Sequence, residues 1–271
     1  MLHFLLFVLL GLGVGAYGTL IGAGGGFLLV PILIWLYPSA RPEVLASVSL
    51  AVVFFNALSG SIAYGRLRRI DYRTGLIFSA AALPGAVLGA LSTEYIPRQI
   101  FDVIIGSLLI IAAVFLLLRP NPRISSTVTN KGGAHHVVIK DSSGVIYRFS
   151  YNPQIGIGLS FGIGYLSSVL GIGGGIIHVP VLVHLLNFPV HIATATSHFI
   201  LALVAFSGTA THLATGTLFQ GMGDIVPLSI GVVVGAQVGA RLSNRLGGPA
   251  IIRGLALALL LVGLRTLWHF L

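Results

Sequence analysis

Two short stretches carry the strongest chemical signal in this chain. Gly22-Ala23-Gly24-Gly25-Gly26 is followed by Pro31, and Gly171-Ile172-Gly173-Gly174-Gly175 by Pro180. A glycine in a helix interior costs about 1 kcal/mol relative to alanine. Proline lacks the amide donor and biases the residue before it away from the α region. A regular helix through 22–31 or 171–180 is therefore not expected. Because proline is favoured at the first helical position, the spacing predicts short helices restarting near Pro31 and near Pro180. Each break would free backbone N–H groups, at Gly24, Gly25 and Gly26 and at Gly173, Gly174 and Gly175, beside the positive end of the next helix. That arrangement suits an anion. Nucleotide binding is disfavoured, since no Gly-Lys-Ser/Thr follows either run and no βαβ context surrounds it. Close helix packing is the competing explanation, and it fits GAVLGA (85–90) and GAQVGA (235–240) better than the two breaks.

The polar side chains that could assist are mostly neutral. Ser49 and Ser197 occupy matching places on the segments that follow each break, and Asn56 would be costly to bury unpaired. Histidine is concentrated in the second half, where His178 stands at the position of Leu29 and His212 at that of Tyr64. Histidine titrates near neutrality, so His198 and His178 are candidates for neutralising an anion or carrying a proton. His198 and His212 lie fourteen residues apart, about 20 Å along a helix, and cannot grip one small ion together. No acidic residue sits near the centre of an apolar segment. Asp102 and Asp224 lie near ends, which disfavours a cation site built on carboxylates. A zinc-type motif such as HExxH is absent, and an enzyme is not expected. No cofactor is implied.

The elements that must hold these groups are membrane segments. Of 271 residues, 56% are hydrophobic and 8% charged, and the mean hydropathy is +1.01. Soluble domains carry about 25% charged residues, so a soluble enzyme, a nucleic-acid binder and a secreted scaffold are excluded for the whole chain. Apolar runs cover about 2–21, 27–37, 44–64, 74–92 and 99–118, then about 153–170, 176–188, 193–215, 224–243 and 250–270. The longer ones suffice to cross a bilayer. No Lys or Arg precedes Arg41, so the first run reads as a mature membrane segment rather than a cleaved leader. Between the two sets lies a polar stretch, 119–152. Within it, β-prone His136–Lys140 and Val145–Phe149 flank Asp141-Ser142-Ser143-Gly144. This reads as a small β-hairpin outside the bilayer, with a structureless linker as the alternative. The chain contains no cysteine, so disulfides and thiolate sites are excluded.

The halves repeat each other. GAGGGFLLVPIL (22–33) and GIGGGIIHVPVL (171–182) share 7 of 12 positions. Ser59-Gly60 aligns with Ser207-Gly208, and the spacing from the break to the later glycine pair is 63 residues (Gly22 to Gly85) against 64 (Gly171 to Gly235). If each segment changes side, 12 of the 15 basic residues share one side, and only Arg41, Arg98 and Arg265 fall opposite. The basic side is cytoplasmic by the positive-inside rule, which puts both termini outside and the middle loop inside. Parity is unchanged if the first two segments form a re-entrant pair. The fold expected is an all-α polytopic membrane protein with a first repeat over 1–118, a cytoplasmic polar loop over 119–152 and a second, inverted repeat over 153–271. Paired short, Gly/Pro-interrupted segments in inverted repeats mark transporter sites. The +9 charge is then a matter of orientation, and no nucleic-acid partner is called for.

The duplicated GxGGGxxxVPxL, each copy after an apolar helix and before a Ser/Thr-containing segment, resembles the sulfite exporter TauE/SafE family. The likeness covers both halves and not the middle loop. It implies a multi-pass permease of the plasma membrane moving sulfite, sulfonates or related small sulfur anions, with a coupled proton or ion and membrane lipid as its other partners. The third segments read Ala46-Ser47-Val48-Ser49-Leu50 and Ala195-Thr196-Ser197-His198-Phe199, departing from the ATSL-like pattern usual there. Carrier and anion channel remain equally compatible with the sequence.

Overall fold

The computed structural model describes residues 1–118, 135–243 and 245–268. Ten helices run α1 (Leu2–Leu20), α2 (Gly26–Leu36), α3 (Pro42–Arg66), α4 (Tyr72–Ser92), α5 (Arg98–Leu118), α6 (Pro153–Val169), α7 (Gly175–Pro180), α8 (Val190–Ala214), α9 (Met222–Leu242) and α10 (Gly248–Trp268). Seven of the helical segments are long and apolar enough to span a membrane, while the apolar segments Gly26–Leu36 and Gly175–Leu185 are much shorter. Caps fix several starts. The Asp71 carboxylate accepts the Thr74 N–H at 3.2 Å before α4, and Asn152 accepts the Gln154 N–H at 3.0 Å with Pro153 opening α6. Pro31 and Pro180 do not restart helices as the spacing suggested. Pro31 lies inside α2, whose first residue is Gly26. Pro180 closes α7, after which Val181–Leu185 continues as a π-turn. In each break three glycines with left-handed backbone, Gly22, Gly24 and Gly25 or Gly171, Gly173 and Gly174, reset the chain first, so the proline needs only to be tolerated in the next turn.

The helix pairs are unchanged when the two halves are exchanged. α1 packs on α9 as α6 packs on α4, α3 meets α9 as α8 meets α4, and α3·α8 and α5·α10 map onto themselves. Small residues allow the closest pairs. A Cβ on Gly85 would run into the Phe161 carbonyl of α6, and one on Gly235 into the Leu12 carbonyl of α1, as a packing role for these glycines requires.

Contacts at the helix ends define two faces. On one, His3 Nε2 is 3.8 Å from Asp224, Arg41 donates to Gln220 at 3.0 Å, and Arg98 donates to the Ile34 and Ala40 carbonyls. The starts of α1, α3, α5 and α9 thus meet the end of α2. On the other face, Ser142 N–H donates to the Leu67 carbonyl at 3.0 Å, Asp71 N–H to Thr196 Oγ1 at 3.0 Å, and Phe149 packs on Phe188 with ring centroids 4.4 Å apart. Phe188 follows the π-turn after α7, and Pro153 of α6 follows the strand that carries Phe149. α1–α2 and α6–α7 therefore each fold back to the face from which they began, as re-entrant hairpins.

The polar middle forms the expected hairpin, with its second strand starting one residue later, at Ile146, and running on to Tyr151. β1 (His135–Lys140) pairs antiparallel with β2 (Ile146–Tyr151), His135 opposite Tyr151 and Lys140 opposite Ile146. Asp141 organises the turn. Its Oδ1 accepts the Ser143 and Val145 N–H groups at 2.9 and 3.0 Å, and its Oδ2 accepts Arg69 Nη2 at 3.1 Å. The side chains of Arg69 and Asp141 are 8% and 0% exposed, so the pair ties the hairpin to the α3–α4 corner away from competing water. Burial pushes the Asp141 carboxyl up, but the Arg69 guanidinium and the two backbone donors outweigh it and hold the group below the usual carboxylate range. A depressed native pKa adds stability above the unfolded value near 4 and loses it as pH falls through the native one. Asp141→Asn is expected to lower the stability of the detergent-solubilised protein at pH 7 by about 1.5–3 kcal/mol. The gap to the parent should close as pH drops below the carboxylate range, read by thermal melts across pH; equal melting points at pH 7 would contradict it.

Candidate functional site

The two breaks have the same backbone. Gly22, Gly24 and Gly25 have φ of 79°, 75° and 81°, and Gly171, Gly173 and Gly174 have 68°, 76° and 86°. L-residues with a Cβ rarely adopt this region, so the glycines are what permits the turn. Gly24 N–H donates to the Gly18 carbonyl at 3.1 Å and Gly173 N–H to the Ser167 carbonyl at 3.4 Å, which leaves them partly engaged. The amides of Gly25, Gly26 and Phe27, and of Gly174, Gly175 and Ile176, have no acceptor among the described residues. The donors that sequence reasoning put at 24–26 and 173–175 are thus centred one residue further on.

The breaks lie against each other at the middle of the bundle. A Cβ on Gly26 would lie 2.8 Å from the Ile172 carbonyl oxygen, and one on Gly175 would lie 2.6 Å from Ala23 Cα. Residues 22–26 and 171–175 are all buried. Each break is held by the opposite half. Ser49 Oγ of α3 donates to the Gly171 carbonyl at 2.6 Å, and Ser197 Oγ of α8 donates to the Gly22 carbonyl at 3.2 Å. These hydroxyls satisfy carbonyls that the missing helix turns leave open.

The remaining polar groups divide unequally. At the first break, Asn56 Nδ2 donates to the Gly24 carbonyl at 2.9 Å, and Thr19 Oγ1 donates to Asn56 Oδ1 at 3.2 Å. His198 Nε2 lies 3.1 Å from Thr19 Oγ1, and Tyr64 Oη donates to the Thr19 carbonyl at 2.7 Å. With Thr19 donating to Asn56, the His198 Nε2 contact is satisfied when that nitrogen carries the proton. At the second break, Ser167 Oγ, Ser168 Oγ and both nitrogens of His178 are buried without a partner among the described residues. His178 is 1% exposed and Ser167 0%. They converge on Gly174, where a Cβ would lie 3.3 Å from His178 Nδ1 and closer still to Ser167 Oγ. Their counterparts in the first half are Leu29 and Gly18.

Of the side chains singled out from sequence, Ser49, Ser197, Asn56 and His198 all reach the breaks, but each is engaged by backbone or by Thr19. His178 reaches the second break, where its ring faces the Gly174 backbone and no side chain bonds it; His198 keeps Nδ1 without a side-chain partner at the first. His212 sits at the far end of α8, away from both. Thr19, Ser167 and Ser168 were not singled out. Thr19 and Ser168 stand three residues before Gly22 and Gly171, a shared offset in the repeat that could have revealed them.

Seven helical segments long and apolar enough to cross a membrane, gathered round two buried glycine breaks, make a multi-pass membrane protein. The chain belongs to the Sulfite exporter TauE/SafE family, whose sequence profile matches residues 7–266. It is 32% identical over 278 residues to the probable membrane transporter protein YunE of Bacillus subtilis (strain 168), covering 99% of this chain and 98% of the relative. It is 26% identical over 246 residues to the probable membrane transporter protein YdhB of the same organism, covering 90% of each. A third relative, the probable membrane transporter protein MJ0441 of Methanocaldococcus jannaschii, is 26% identical over 218 residues, 78% of this chain and 73% of its own. No solved structure gives a significant match.

If Ser49 and Ser197 act as clamps on the breaks, Ser49→Ala and Ser197→Ala should each lower stability by about 1–3 kcal/mol, the cost of a buried carbonyl left unpaired. Apparent substrate affinity in the protein that remains folded should stay unchanged. Thermal melts paired with transport kinetics check this, and an altered KM at parental stability would assign the serines to the ligand instead.

Proposed function

We propose that this protein is a secondary permease that carries a small sulfur-containing oxyanion, such as sulfite or a sulfonate, by alternating access about the two breaks. The observation that carries this reading is the set of six unpaired backbone donors in two contacting loops, flanked on one side by unpartnered Ser167 and His178. Neutral donors in a dry site bind an anion without burying a fixed countercharge. His178 can donate from one nitrogen and accept a proton on the other, which offers a route to proton coupling. The exchange of helix contacts between halves, with α1–α2 and α6–α7 opening from opposite faces, supports inverted repeats. The hairpin face carries Arg66, Arg68, Arg69, Arg73, Lys140 and Arg148, which supports a cytoplasmic hairpin and outward termini in the plasma membrane. Burial of residues 22–26 and 171–175 favours a carrier that occludes its ion over an open channel.

Uptake into proteoliposomes, comparing sulfite, thiosulfate, sulfate and a sulfonate with and without a pH gradient, tests the proposal. Gly174→Leu, at φ 86°, should abolish flux, whereas Gly158→Leu, where a Cβ meets open space, should preserve it. His178→Leu, which installs the residue found at position 29, should raise KM roughly tenfold or more, the loss of one hydrogen bond to a charged group. Parental flux in Gly174→Leu would remove the breaks from the mechanism.

A further inference from the structure

A groove of about 350 Å³ lies between α2 and α10 near the N-terminal face, lined by Leu28, Pro31, Trp35, Val262, Arg265 and Trp268 among others. The chain has two tryptophans, and both are here, 61% and 81% exposed. Tryptophan at this level of a membrane protein favours the headgroup boundary. The Arg265 guanidinium sits 5.4 Å from the Trp35 ring centroid, within cation–π range.

Arg265 differs from the other two basic residues of that face. Arg41 pairs with Glu43 at 3.0 Å, and Arg98 with Asp102 at 2.8 Å. Arg265 has no carboxylate or carbonyl partner among the described residues. The neighbouring Thr266 hydroxyl is spent on the Val262 carbonyl at 2.8 Å. The repeat sharpens the contrast. Arg265 and Trp35 correspond to Phe115 and His184, which meet edge-on at 5.7 Å on the opposite side of the bundle. One copy of the α2/α10-type contact is thus an aromatic pair, and the other presents a cation to an apolar, lipid-facing groove.

We propose that this groove binds an anionic phospholipid, with the headgroup phosphate on Arg265 and an acyl chain lying between Trp35 and Trp268. A guanidinium on a stem that runs along apolar surface reaches the headgroup level, and phosphate is its best hydrogen-bonding partner there. A net negative headgroup neutralises it, while a zwitterionic one brings a second cation to the same place. The site is independent of what the protein transports.

Because both tryptophans flank the groove, their fluorescence reports its occupant. The full chain is reconstituted in phosphatidylcholine vesicles containing an equal fraction of either phosphatidylglycerol or phosphatidylcholine with brominated acyl chains, which quench tryptophan on contact. In the parent protein, brominated phosphatidylglycerol should quench as though enriched roughly fivefold over the bulk, the factor expected for one basic residue near the surface. In Arg265→Gln the two lipids should quench equally, while Arg265→Lys keeps a reduced preference. Equal quenching in the parent overturns the proposal without recourse to any variant. So does a preference that survives intact in Arg265→Gln.

Discussion

A peptide group cannot be left unpaired in hydrocarbon, where water is not available to replace the lost partner. Each of the two breaks opens several such groups near the middle of the bundle. The rest of the structure follows from how they are sheltered. The carbonyl at Gly22 is taken by Ser197 and that at Gly171 by Ser49, so each break depends on the opposite half. The loops then press against each other through Gly26 and Gly175, where any side chain would meet backbone. The carbonyls of Gly22, Gly24 and Gly171 are matched, while the amides of 25–27 and 174–176 have no acceptor among the described residues. On the proposed function, those six amides are the donors that would meet a negative solute.

The two halves share a frame and differ in the side chains they set beside the breaks. The pairing of α1 with α9 and of α6 with α4 preserves the exchange, and so do the serine clamps. The side chains beside the breaks do not. Asn56, Thr19, His198 and Tyr64 knit the first break into one hydrogen-bonded cluster. At the second, Leu50 and Val204 stand where His198 and Asn56 stand in the first, and Ser168 Oγ has no hydrogen-bond partner among the described residues. A buried hydroxyl without a partner costs on the order of 1–3 kcal/mol. Ser167, Ser168 and His178 together therefore represent a cost that a bound polar solute would relieve.

Much of this was legible in the residues. Segment limits, the hairpin around Asp141 and the position of both breaks follow from local signals: apolar run length, β-prone runs about a turn, and consecutive glycines. The helix start was misplaced at Pro31 because the preference of proline for a first turn is weaker than the conformational reset imposed by Gly22, Gly24 and Gly25. The roles of Ser49 and Ser197 were not legible, since their partners lie 122 and 175 residues away in sequence. Reading such residues as ligands or as clamps requires the carbonyl they face. Ser167 escaped notice because its counterpart is Gly18, so the repeat offered no matching polar position to draw attention to it.

The most direct test of a donor-lined centre is crystallographic. Crystals soaked in selenite, a heavier analogue of sulfite, would reveal the ion by the anomalous scattering of selenium. The account predicts a peak between the amides of 25–27 and 174–176, within hydrogen-bonding reach of His178. A well-occupied peak remote from both breaks, in protein that transports selenite, would contradict it.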